Sequence, residues 1–357
     1  MVTIAAEALR GLVTELFLRM GAGAEEAAAV ATALVRSNLC GYDSHGVYRV
    51  AQYHQWWKAG LLCPAARPAV AAETRSLARV DGHWGFGQVA ADFAARLAAR
   101  KAAAEGIAAV TAFRSNHVGR LADYAEILQQ AGLIGFLCVN DSGAGQCVAP
   151  WGAREPRLST NPLSMAVPGG ETAGILFDFS TSAAAMGKVR QLQLQGQETP
   201  PGWLIDHEGR ETTDPSALFV EPRGALLPAG GHRGFALSLA VEVLGGLLSG
   251  AGCVNPAPGP EEMNGLFVLA LDPAWFVARE AFGRQVDQLT AYVKSARPAA
   301  GGDGVHIPGE RSSAEAARRE RDGVVLNTKT VEALRDVCAL LGQSAEGLDG
   351  EWGTSGQ

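Results

Sequence analysis

Apolar residues recur at helical spacing through most of the first 60 residues. The pattern predicts two amphipathic helices at residues 5–20 and 25–39, each ending at a glycine break, and a third from about residue 45 to residue 58. An alanine-rich helix is predicted at residues 88–105. The first part of the chain is therefore expected to be mainly helical, with apolar faces turned toward a common core.

Short apolar runs alternate with helical segments along the rest of the chain. Residues 140–170 and 297–310 are rich in Gly and Pro and are expected to form loops. Thr181-Ser182 is expected to open a helix, because hydroxyl side chains satisfy the free N–H groups of a first turn. The alternation favours a layered α/β core. The predicted strands are residues 107–113, 133–140, 172–179 and 266–271, and the predicted helices are residues 121–130, 235–248, 273–296 and 331–341.

Composition and charge exclude several classes of protein. The 357 residues include 30 Lys and Arg against 37 Asp and Glu, a formal net charge of −7, and 47% of the residues are apolar. The apolar share excludes a disordered chain, and without a basic run we expect no binding to nucleic acid or to an anionic membrane. The most apolar stretch, residues 235–252, contains Glu242 and two serines and is expected to be a buried helix rather than a membrane span.

Cysteine usage and the N-terminal segment indicate the compartment. The six cysteines are scattered, with no CxxC pair and no spacing typical of zinc ligands. The first amphipathic segment carries acidic residues instead of the basic and apolar regions of a secretion signal. We therefore expect a cytoplasmic protein with reduced thiols and no metal site.

A glycine motif at Gly85-Phe86-Gly87-Gln88-Val89-Ala90 matches the pattern of a dinucleotide-binding turn. The strand predicted before it, residues 76–80, is short. The acidic residue about 20 positions on, Glu105, lies at a helix end rather than after a second strand. We therefore interpret the motif as a turn that starts a helix and not as a Rossmann fingerprint.

Ser44, His45 and Arg49 form the first candidate catalytic group. A spacing of four residues at a predicted helix start places the imidazole and the guanidinium on one face, about one turn apart. Reduction of a 2-oxo acid needs such a pair, because one group must protonate the carbonyl oxygen and a planar guanidinium can bind the carboxylate through two hydrogen bonds. Ser44 is placed to hydrogen-bond either the imidazole or the substrate. The alternative is a structural or solvated histidine near a helix N-terminus.

His117 is the second candidate, in the segment Ser115-Asn116-His117-Val118-Gly119-Arg120 that follows the predicted strand at residues 107–113. Ligands usually bind at strand ends in α/β sheets, which favours a role in a site. The alternative is a capping histidine that ties the loop to the next helix. Both interpretations stay open from the spacing alone.

Six segments in order along the chain carry a resemblance to a known family. The set extends from about Thr3 to Gly342 and is much more specific than any one motif. The chain resembles the type-2 malate/L-lactate dehydrogenases, which include sulfolactate and ureidoglycolate dehydrogenases, a diketogulonate reductase and the Δ1-piperideine-2-carboxylate/Δ1-pyrroline-2-carboxylate reductases. The segments are Ser44-His45-Gly46 with Arg49, Asn116-His117-Val118-Gly119, Thr160-Asn161-Pro162, Asp178-Phe179-Ser180-Thr181-Ser182 with Gly187-Lys188, Gly231-His232-Arg233-Gly234-Phe235, and Pro308-Gly309-Glu310.

The resemblance implies a non-Rossmann, layered α/β/α fold with a helical N-terminal part. It implies an NAD- or NADP-dependent oxidoreductase acting on a small 2-oxo or 2-hydroxy acid, or alternatively a reductase of cyclic imino acids. Family members are similar in forming homodimers, with the cofactor in an extended groove near the subunit contact. We expect an N-terminal helical, substrate-side part at residues 1–110, a cofactor-binding core at 111–310, and C-terminal helices at 311–357 that return to the N-terminal part.

The resemblance also assigns roles residue by residue. His45 and His117 would be the acid/base histidines, with His45 the first choice as proton carrier, and Arg49 would anchor the substrate carboxylate beside Ser44. Arg233 stands where the family commonly has Lys, and Ser159 stands where it has Gly, so nucleotide binding departs from the family pattern in detail. The predicted cofactor contacts are Asn140, Ser142, Thr160, Asn161, Asp178, Phe179, Ser180, Lys188, His232, Arg233, Gly309 and Glu310.

Three questions stay open at this point. Arg190 and Arg233 are each candidates to meet a 2′-phosphate, so the sequence does not choose between NAD and NADP. A metal-assisted hydrolase using His45, His117 and a carboxylate is a remote alternative, as is a non-catalytic protein that binds NAD(P)H. Whichever ring carries the proton is expected to give a rate limb near the ordinary pKa of imidazole.

Overall fold

The computed structural model describes residues 1–143, 145–257 and 263–348. In chain order its strands are β1 (Val2–Ile4), β2 (Ala69–Glu73), β3 (Leu77–Gly85), β4 (Ile107–Ser115), β5 (Ile134–Asp141), β6 (Leu163–Val167), β7 (Ile175–Phe179), β8 (Leu204–Ile205), β9 (Glu211–Thr212), β10 (Ala225–Leu226), β11 (Asn264–Leu271) and β12 (Val324–Leu326). Its α-helices are α1 (Ala6–Arg19), α2 (Ala24–Leu39), α3 (Arg49–Lys58), α4 (Gly87–Glu105), α5 (Ala122–Gln130), α6 (Met186–Leu194), α7 (His232–Val241), α8 (Arg279–Lys294), α9 (Glu310–Asp322) and α10 (Thr328–Leu341).

A seven-stranded mixed sheet in the order β2-β3-β4-β11-β5-β6-β7 forms the centre of the molecule. Alternate side chains of β5 face opposite sides, since Leu137 and Val139 pack with α4 and α5 while Phe136 and Cys138 pack with Val241 of α7. The expected α/β/α layering is therefore confirmed. Only β3 and β4 run parallel within this sheet, and α4 makes the crossover between them.

A second core joins the two ends of the chain. The apolar faces of α1, α2 and α3 pack against α10, with Leu9, Val30, Tyr53 and Leu334 all buried in one cluster. Strand β1 pairs antiparallel with β12 beside this cluster. The α3 helix, which follows the first candidate histidine, is thereby fixed between the N-terminal helices and the C-terminal helix.

Two differences from the sequence-based prediction concern segments of the candidate site. The helix expected from about residue 45 begins at Arg49, and His45 lies in a short 3₁₀ turn, Asp43–His45. A Cβ on Gly46 would lie 2.2 Å from Oδ1 of Asn38, so the chain at this point passes too close to α2 for a side chain. Residues 140–170 were expected to be a loop, but they contain β6, whose short apolar run is hidden by flanking Gly and Pro.

The other differences lie further along the chain. Thr181-Ser182 lies in a loop rather than a first helical turn, because Thr181 Oγ1 donates to the Thr160 carbonyl at 3.1 Å and Ser182 Oγ to the Ala184 carbonyl at 2.7 Å. The helix predicted at residues 273–296 is divided into a 3₁₀ turn, Pro273–Trp275, and α8. The α9 helix was not predicted, because it contains almost no apolar residues.

The apolar segment at residues 235–248 is helical, as predicted, but only one side of it is buried. It begins as α7 and continues as a π-helix over Glu242–Leu247. Glu242 is buried, whereas Leu237, Val243 and Leu247 are between 44% and 55% exposed. Within the described ranges, no helix has the length and the apolar content that a bilayer crossing requires.

Candidate active site

The two candidate histidines, which are 72 positions apart in the sequence, are in direct contact. Nδ1 of His45 lies 3.1 Å from Nε2 of His117, and the ring planes are within 5° of parallel. His45 is half-buried in the 3₁₀ turn before α3, and His117 is buried in the loop that follows β4. The fold therefore brings together the two residues that the sequence had singled out separately.

Two residues that the sequence analysis missed extend this contact into the core. Nδ1 of His117 lies 2.7 Å from the hydroxyl of Tyr53 on α3, and Nε2 of Gln88 on α4 donates to that hydroxyl at 2.6 Å. Tyr53 and Gln88 are both almost fully buried. Tyr53 stands in no recognisable motif, and Gln88 occupies a variable position of the glycine motif at residues 85–90. Only their contact in the folded structure reveals the connection to the histidines.

The glycine motif at residues 85–90 supports the loop that carries His117. A Cβ on Gly87 would lie 2.1 Å from the carbonyl oxygen of Asn116, so glycine is required for the loop to pack over the start of α4. The Asn116 amide donates in turn to the carbonyls of Trp84 and Gly85 at 2.9 and 3.1 Å. The motif is thus a turn that starts a helix, as predicted, and the space over its N-terminus is taken by the chain itself.

Arg49 lies beside the histidine pair at the first residue of α3. Its Nε donates to the main-chain carbonyl of Ser44 at 2.8 Å, and its Nη1 donates to Gln52. Ser44 therefore contributes a carbonyl that fixes the guanidinium. A Cβ on Gly187 would lie 2.5 Å from the Ser44 Cβ, which shows that the start of α6, with the exposed Lys188, also adjoins this group.

Burial and neighbouring cations keep both imidazole rings neutral. Burial, with a smaller contribution from Arg49 and Arg120, lowers the pKa of His45 to about 3. Burial, Arg49 and His45 also hold the pKa of His117 well below its usual range. The rate limb expected near the ordinary pKa of imidazole therefore has no counterpart in these two rings, because neither titrates there.

A cleft of about 200 Å³ lies at the start of α5, beside the edge strand β7, and contains a second group of predicted residues. Asp178, at the end of β7, accepts a hydrogen bond from the Ala122 N–H at 2.9 Å, and burial raises the pKa of its carboxyl to about 6. Gly309, with φ +102°, lines the same cleft. The full lining is Tyr42, Arg120, Ala122, Leu176, Phe177, Asp178, Pro308, Gly309 and Ser312.

Arg120 is the buried cation of this cleft. Its guanidinium pairs with Asp123 and lies 3.7 Å from Glu126 and over the ring of Tyr42. Burial acts to lower the pKa of Arg120, but the surrounding carboxylates, led by Asp123, raise it overall. The guanidinium is therefore a fixed positive charge at the cleft wall.

Asn140 and Asn161, two of the predicted cofactor contacts, share the buried carboxylate of Glu242. Asn161 Nδ2 donates to one Glu242 oxygen at 2.8 Å and Asn140 Nδ2 to the other at 3.1 Å. Oδ1 of Asn161 is buried without a hydrogen-bond partner among the residues described. Such an acceptor suits a carboxamide N–H, so this group, together with the cleft at Asp178, fits a nicotinamide nucleotide.

The remaining predicted cofactor contacts fall into two sets. The first set holds loops together through hydrogen bonds and comprises Ser142, Thr160 and Ser180. The Ser142 N–H donates to the Met263 carbonyl at 3.1 Å, and the Thr160 carbonyl accepts from the Thr181 N–H at 2.9 Å. The Ser180 hydroxyl accepts from the Ser182 hydroxyl. The second set lies at the surface. Phe179 is half-exposed beside Phe177, and His232 packs on Trp151. Lys188 and Arg233 are exposed. Glu310 accepts hydrogen bonds from Lys294 at 2.6 Å and from the Ile307 N–H at 3.0 Å.

Arg190, a candidate to meet a 2′-phosphate, lies on the exposed side of α6. The Arg190 guanidinium lies over the ring of Phe219, 4.4 Å from its centroid, and donates to Gln193. Among residues 1–143, 145–257 and 263–348, no group of three or more His, Cys, Asp and Glu side chains is arranged to hold a metal ion.

Known proteins resemble this chain over nearly its whole length. The malate/L-lactate dehydrogenase family profile matches residues 4–335. The chain is 33% identical over 339 residues to the malate/(S)-sulfolactate dehydrogenase of Methanothermus fervidus, covering 94% of this chain and 96% of that protein. It is 34% identical over 324 residues to the Δ1-pyrroline-2-carboxylate reductase of Ancylobacter novellus, covering 88% and 91%.

A solved structure extends the similarity to three dimensions. The sulfolactate dehydrogenase of Methanocaldococcus jannaschii superposes with a TM-score of 0.86 and 30% sequence identity, covering 97% of this chain and 99% of that one. The fold, the order of the motifs and the profile match over nearly the whole chain agree. The chain therefore belongs to the malate/L-lactate dehydrogenase family.

Proposed function

We propose that the protein transfers a hydride between a nicotinamide cofactor and C2 of a small 2-oxo or 2-hydroxy acid. The observation that carries this proposal is the contact between His45 and His117 beside the guanidinium of Arg49. It supplies a proton carrier and a carboxylate anchor at one place, which are the two groups that reduction of a 2-oxo acid requires.

The residues divide the work between substrate and cofactor. The bound nicotinamide supplies or accepts the hydride. Arg49 binds the substrate carboxylate bidentately, with its guanidinium held by the Ser44 carbonyl. His45 is the more exposed of the two rings, so it gives the proton to the substrate oxygen, while the buried His117 orients it from behind.

On the cofactor side, the Asp178 carboxylate would accept from ribose hydroxyls, and Gly309 lines the same cleft. Asn161 offers its unpartnered oxygen to the carboxamide. These roles follow from the chemistry of the donor and acceptor groups, since a buried acceptor stays costly until it is paired.

A panel of substrates tests this proposal. Small 2-oxo acids and cyclic imino acids are each mixed with NADH and with NADPH, and loss of reduced-nicotinamide absorbance is followed. We expect turnover of at least one 2-oxo acid. Turnover of cyclic imino acids alone would favour the second candidate, which is supported by the similarity to the reductase of Ancylobacter novellus. No turnover with any pair would contradict the proposal.

We also propose that the protein is a homodimer whose cofactor groove needs both chains. The exposed apolar side of α7 and its π-helical continuation, with Leu237, Val243 and Leu247, is suited to a second copy. Glu242 on the same segment holds Asn140 and Asn161, so this surface is continuous with the predicted cofactor site. Sedimentation should give a dimer, and Val243→Asp should give a monomer with weakened cofactor binding. A fully active wild-type monomer would contradict this.

We propose that the protein works in the cytoplasm. All six cysteines lie in the described part of the chain, and each is a free thiol. Free thiols persist in a reducing compartment. Fractionation of cells that express the protein should place it with cytoplasmic markers, and recovery from an oxidising compartment would contradict the proposal.

A further inference from the structure

The hydrogen bonds behind the histidines form one continuous series. Gln88 Nε2 can only donate, so the Tyr53 oxygen accepts from it at 2.6 Å. With the Tyr53 proton directed to Nδ1 of His117, 2.7 Å away, that nitrogen accepts. The ring proton of His117 therefore sits on Nε2.

The same reasoning continues to His45. Nε2–H of His117 donates to Nδ1 of His45 across 3.1 Å, so the ring proton of His45 also sits on Nε2. That nitrogen is on the opposite edge of the ring from His117. Each link of the series fixes the next, from a buried amide on α4 to a half-buried imidazole.

We propose that Tyr53, oriented by Gln88, sets the tautomers of both histidines and replaces the proton that His45 gives to the substrate. The inference rests on the proposed function for the identity of the reaction. It assigns the substrate-facing role to His45, the connecting role to His117 and the proton supply to Tyr53, which is a positioning residue because it acts through the two rings.

The proton and charge balance of the step is complete. As C2 of the substrate gains the hydride, the π-electron pair of the carbonyl moves to oxygen, which takes the Nε2 proton of His45. His45 Nδ1 takes the Nε2 proton of His117, and His117 Nδ1 takes the hydroxyl proton of Tyr53. Both rings remain neutral in the opposite tautomer, and Tyr53 is left as a phenolate that accepts from Gln88.

Solvent then restores the starting state through the same atoms. After the product leaves, water protonates Nε2 of His45, and the protons return to His117 and to Tyr53 in the reverse direction. Over one turnover the net proton comes from solvent, as reduction of a carbonyl requires. In the oxidation direction the same series accepts the proton of the substrate hydroxyl.

Energetics explain why the series must end at a phenol. Burial and the flanking cations Arg49 and Arg120 keep His45 neutral, so an isolated ring would be left as an imidazolate after giving up its proton. A phenol, with an ordinary pKa near 10, is a much stronger acid than a neutral imidazole. The Tyr53 hydroxyl therefore gives the buried rings an acid that they lack by themselves.

The tautomers can be measured without turnover. Nitrogen-15 spectra of the seven histidines distinguish Nδ1–H from Nε2–H rings, and His45→Asn and His117→Asn assign the two signals. We expect both rings of the free wild-type protein to carry the proton on Nε2. In Tyr53→Phe, which keeps the ring that packs against Phe17 and Phe86, His117 should shift toward the other tautomer.

Tyr124→Phe is the matched control. Tyr124 is also buried and its hydroxyl donates to the carbonyl of Val118. Among the described residues, no hydrogen bond or ring contact joins it to His45 or His117. Its removal should leave both tautomers unchanged. An Nδ1–H tautomer of His117 in the wild-type protein, or unchanged tautomers in Tyr53→Phe, would overturn the proposal whatever the activity of the protein.

Kinetics provide the second readout. Tyr53→Phe should lower kcat for reduction by about 100-fold with little change in KM, and it should alter the solvent isotope effect on kcat. Gln88→Met should cause a smaller loss, about tenfold, because the phenolate then lacks its donor. A normal kcat and a normal isotope effect in Tyr53→Phe would overturn the proposed proton series. A wild-type protein that is inactive with every substrate would contradict the proposed function instead. In that case the tautomer measurement alone would test this inference.

Discussion

Two of the buried polar groups in the described part of the molecule differ in how their members are held. The series from His45 to Gln88 is neutral and held by hydrogen bonds alone. The cleft beside α5 is instead lined by the fixed charge of Arg120, which pairs with Asp123, and by the carboxyl of Asp178. A proton can move along a neutral series without leaving a charge on the inner rings. Fixed charges suit the binding of a nucleotide, whose hydroxyls and phosphates need permanent partners.

Burial has opposite outcomes in the two groups because their counter-charges differ. The histidines are flanked by cations, so burial and charge both act to lower the pKa values of the rings. Arg120 is equally enclosed, but Asp123 and Glu126 compensate the cost of burying its charge. The cation-flanked site stays neutral and the carboxylate-flanked site stays charged.

The largest expected effect comes from removing the proton carrier. His45→Asn should lower kcat by a factor on the order of 10² to 10⁴, the usual contribution of a general acid–base group. Binding of NAD(P)H, measured by fluorescence titration, should be retained because His45 lies outside the charged cleft. His54→Gln is the control, since His54 is a second buried histidine on the same helix as Tyr53. Near-normal turnover in His45→Asn would remove the basis of the mechanism.

The next effect tests the anchor beside the histidines. Arg49→Lys keeps the charge but loses the planar fork, so KM for the substrate should rise by about 10- to 100-fold. Cofactor affinity should change little. If the substitution weakened NAD(P)H binding and substrate use equally, Arg49 would belong to the cofactor side or to the structural frame.

The charged cleft is tested by Asp178→Asn, which should weaken NAD(P)H binding by about tenfold because a charged acceptor is lost.

The same substitution should increase the free energy of unfolding. The folded pKa of Asp178, about 6, is raised above its usual value, so the folded state binds more protons between pH 4 and 6 and this carboxyl lowers stability as the pH rises through that range.

Chemical unfolding measures the stability effect. At pH 7 the Asn variant should be more stable than the wild type by on the order of 1–2 kcal/mol. The difference should shrink as the pH falls toward 4, where the folded carboxyl is protonated and the unfolded one is about half protonated. An equal difference at both pH values would show that the ionisation of Asp178 is not the cause.

Regular elements with a local pattern could be predicted from the sequence, and contacts between elements could not. The apolar stripes of α1 and α2 and the alanine-rich α4 are evident in the chain, and the structure places these helices within a few residues of their predicted bounds. Helix α9 has no stripe of large apolar side chains, since its apolar residues are three alanines and all of its residues are half-exposed or exposed. Strand β6 is only five residues long between turn-forming segments.

The candidate site shows the same limit. His45, His117 and Arg49 stand in motifs that can be recognised one by one, and the structure brings them together. Tyr53 and Gln88 lie 35 positions apart on two helices, and their hydrogen bond depends on tertiary packing alone. A sequence signal for them would require pairwise information, because neither residue is unusual in its own helix.

The smallest effect is the sharpest test of the neutral state of the histidines. With saturating cofactor, kcat for reduction should change less than about twofold between pH 6 and 8, because the pKa of His45 is about 3 and neither ring gains a charge in this range. Removing one flanking cation, in Arg49→Gln, should raise the pKa of His45 toward its ordinary value, since Arg49 is one of the two cations that lower it. Nitrogen-15 titration of the His45 ring measures this shift directly. The contrary result would be a rate limb near pH 6.5 in the wild-type enzyme that disappears in His45→Asn. It would mean that the His45 ring carries a charge, so the contrast between a neutral proton series and a charged nucleotide cleft would not hold.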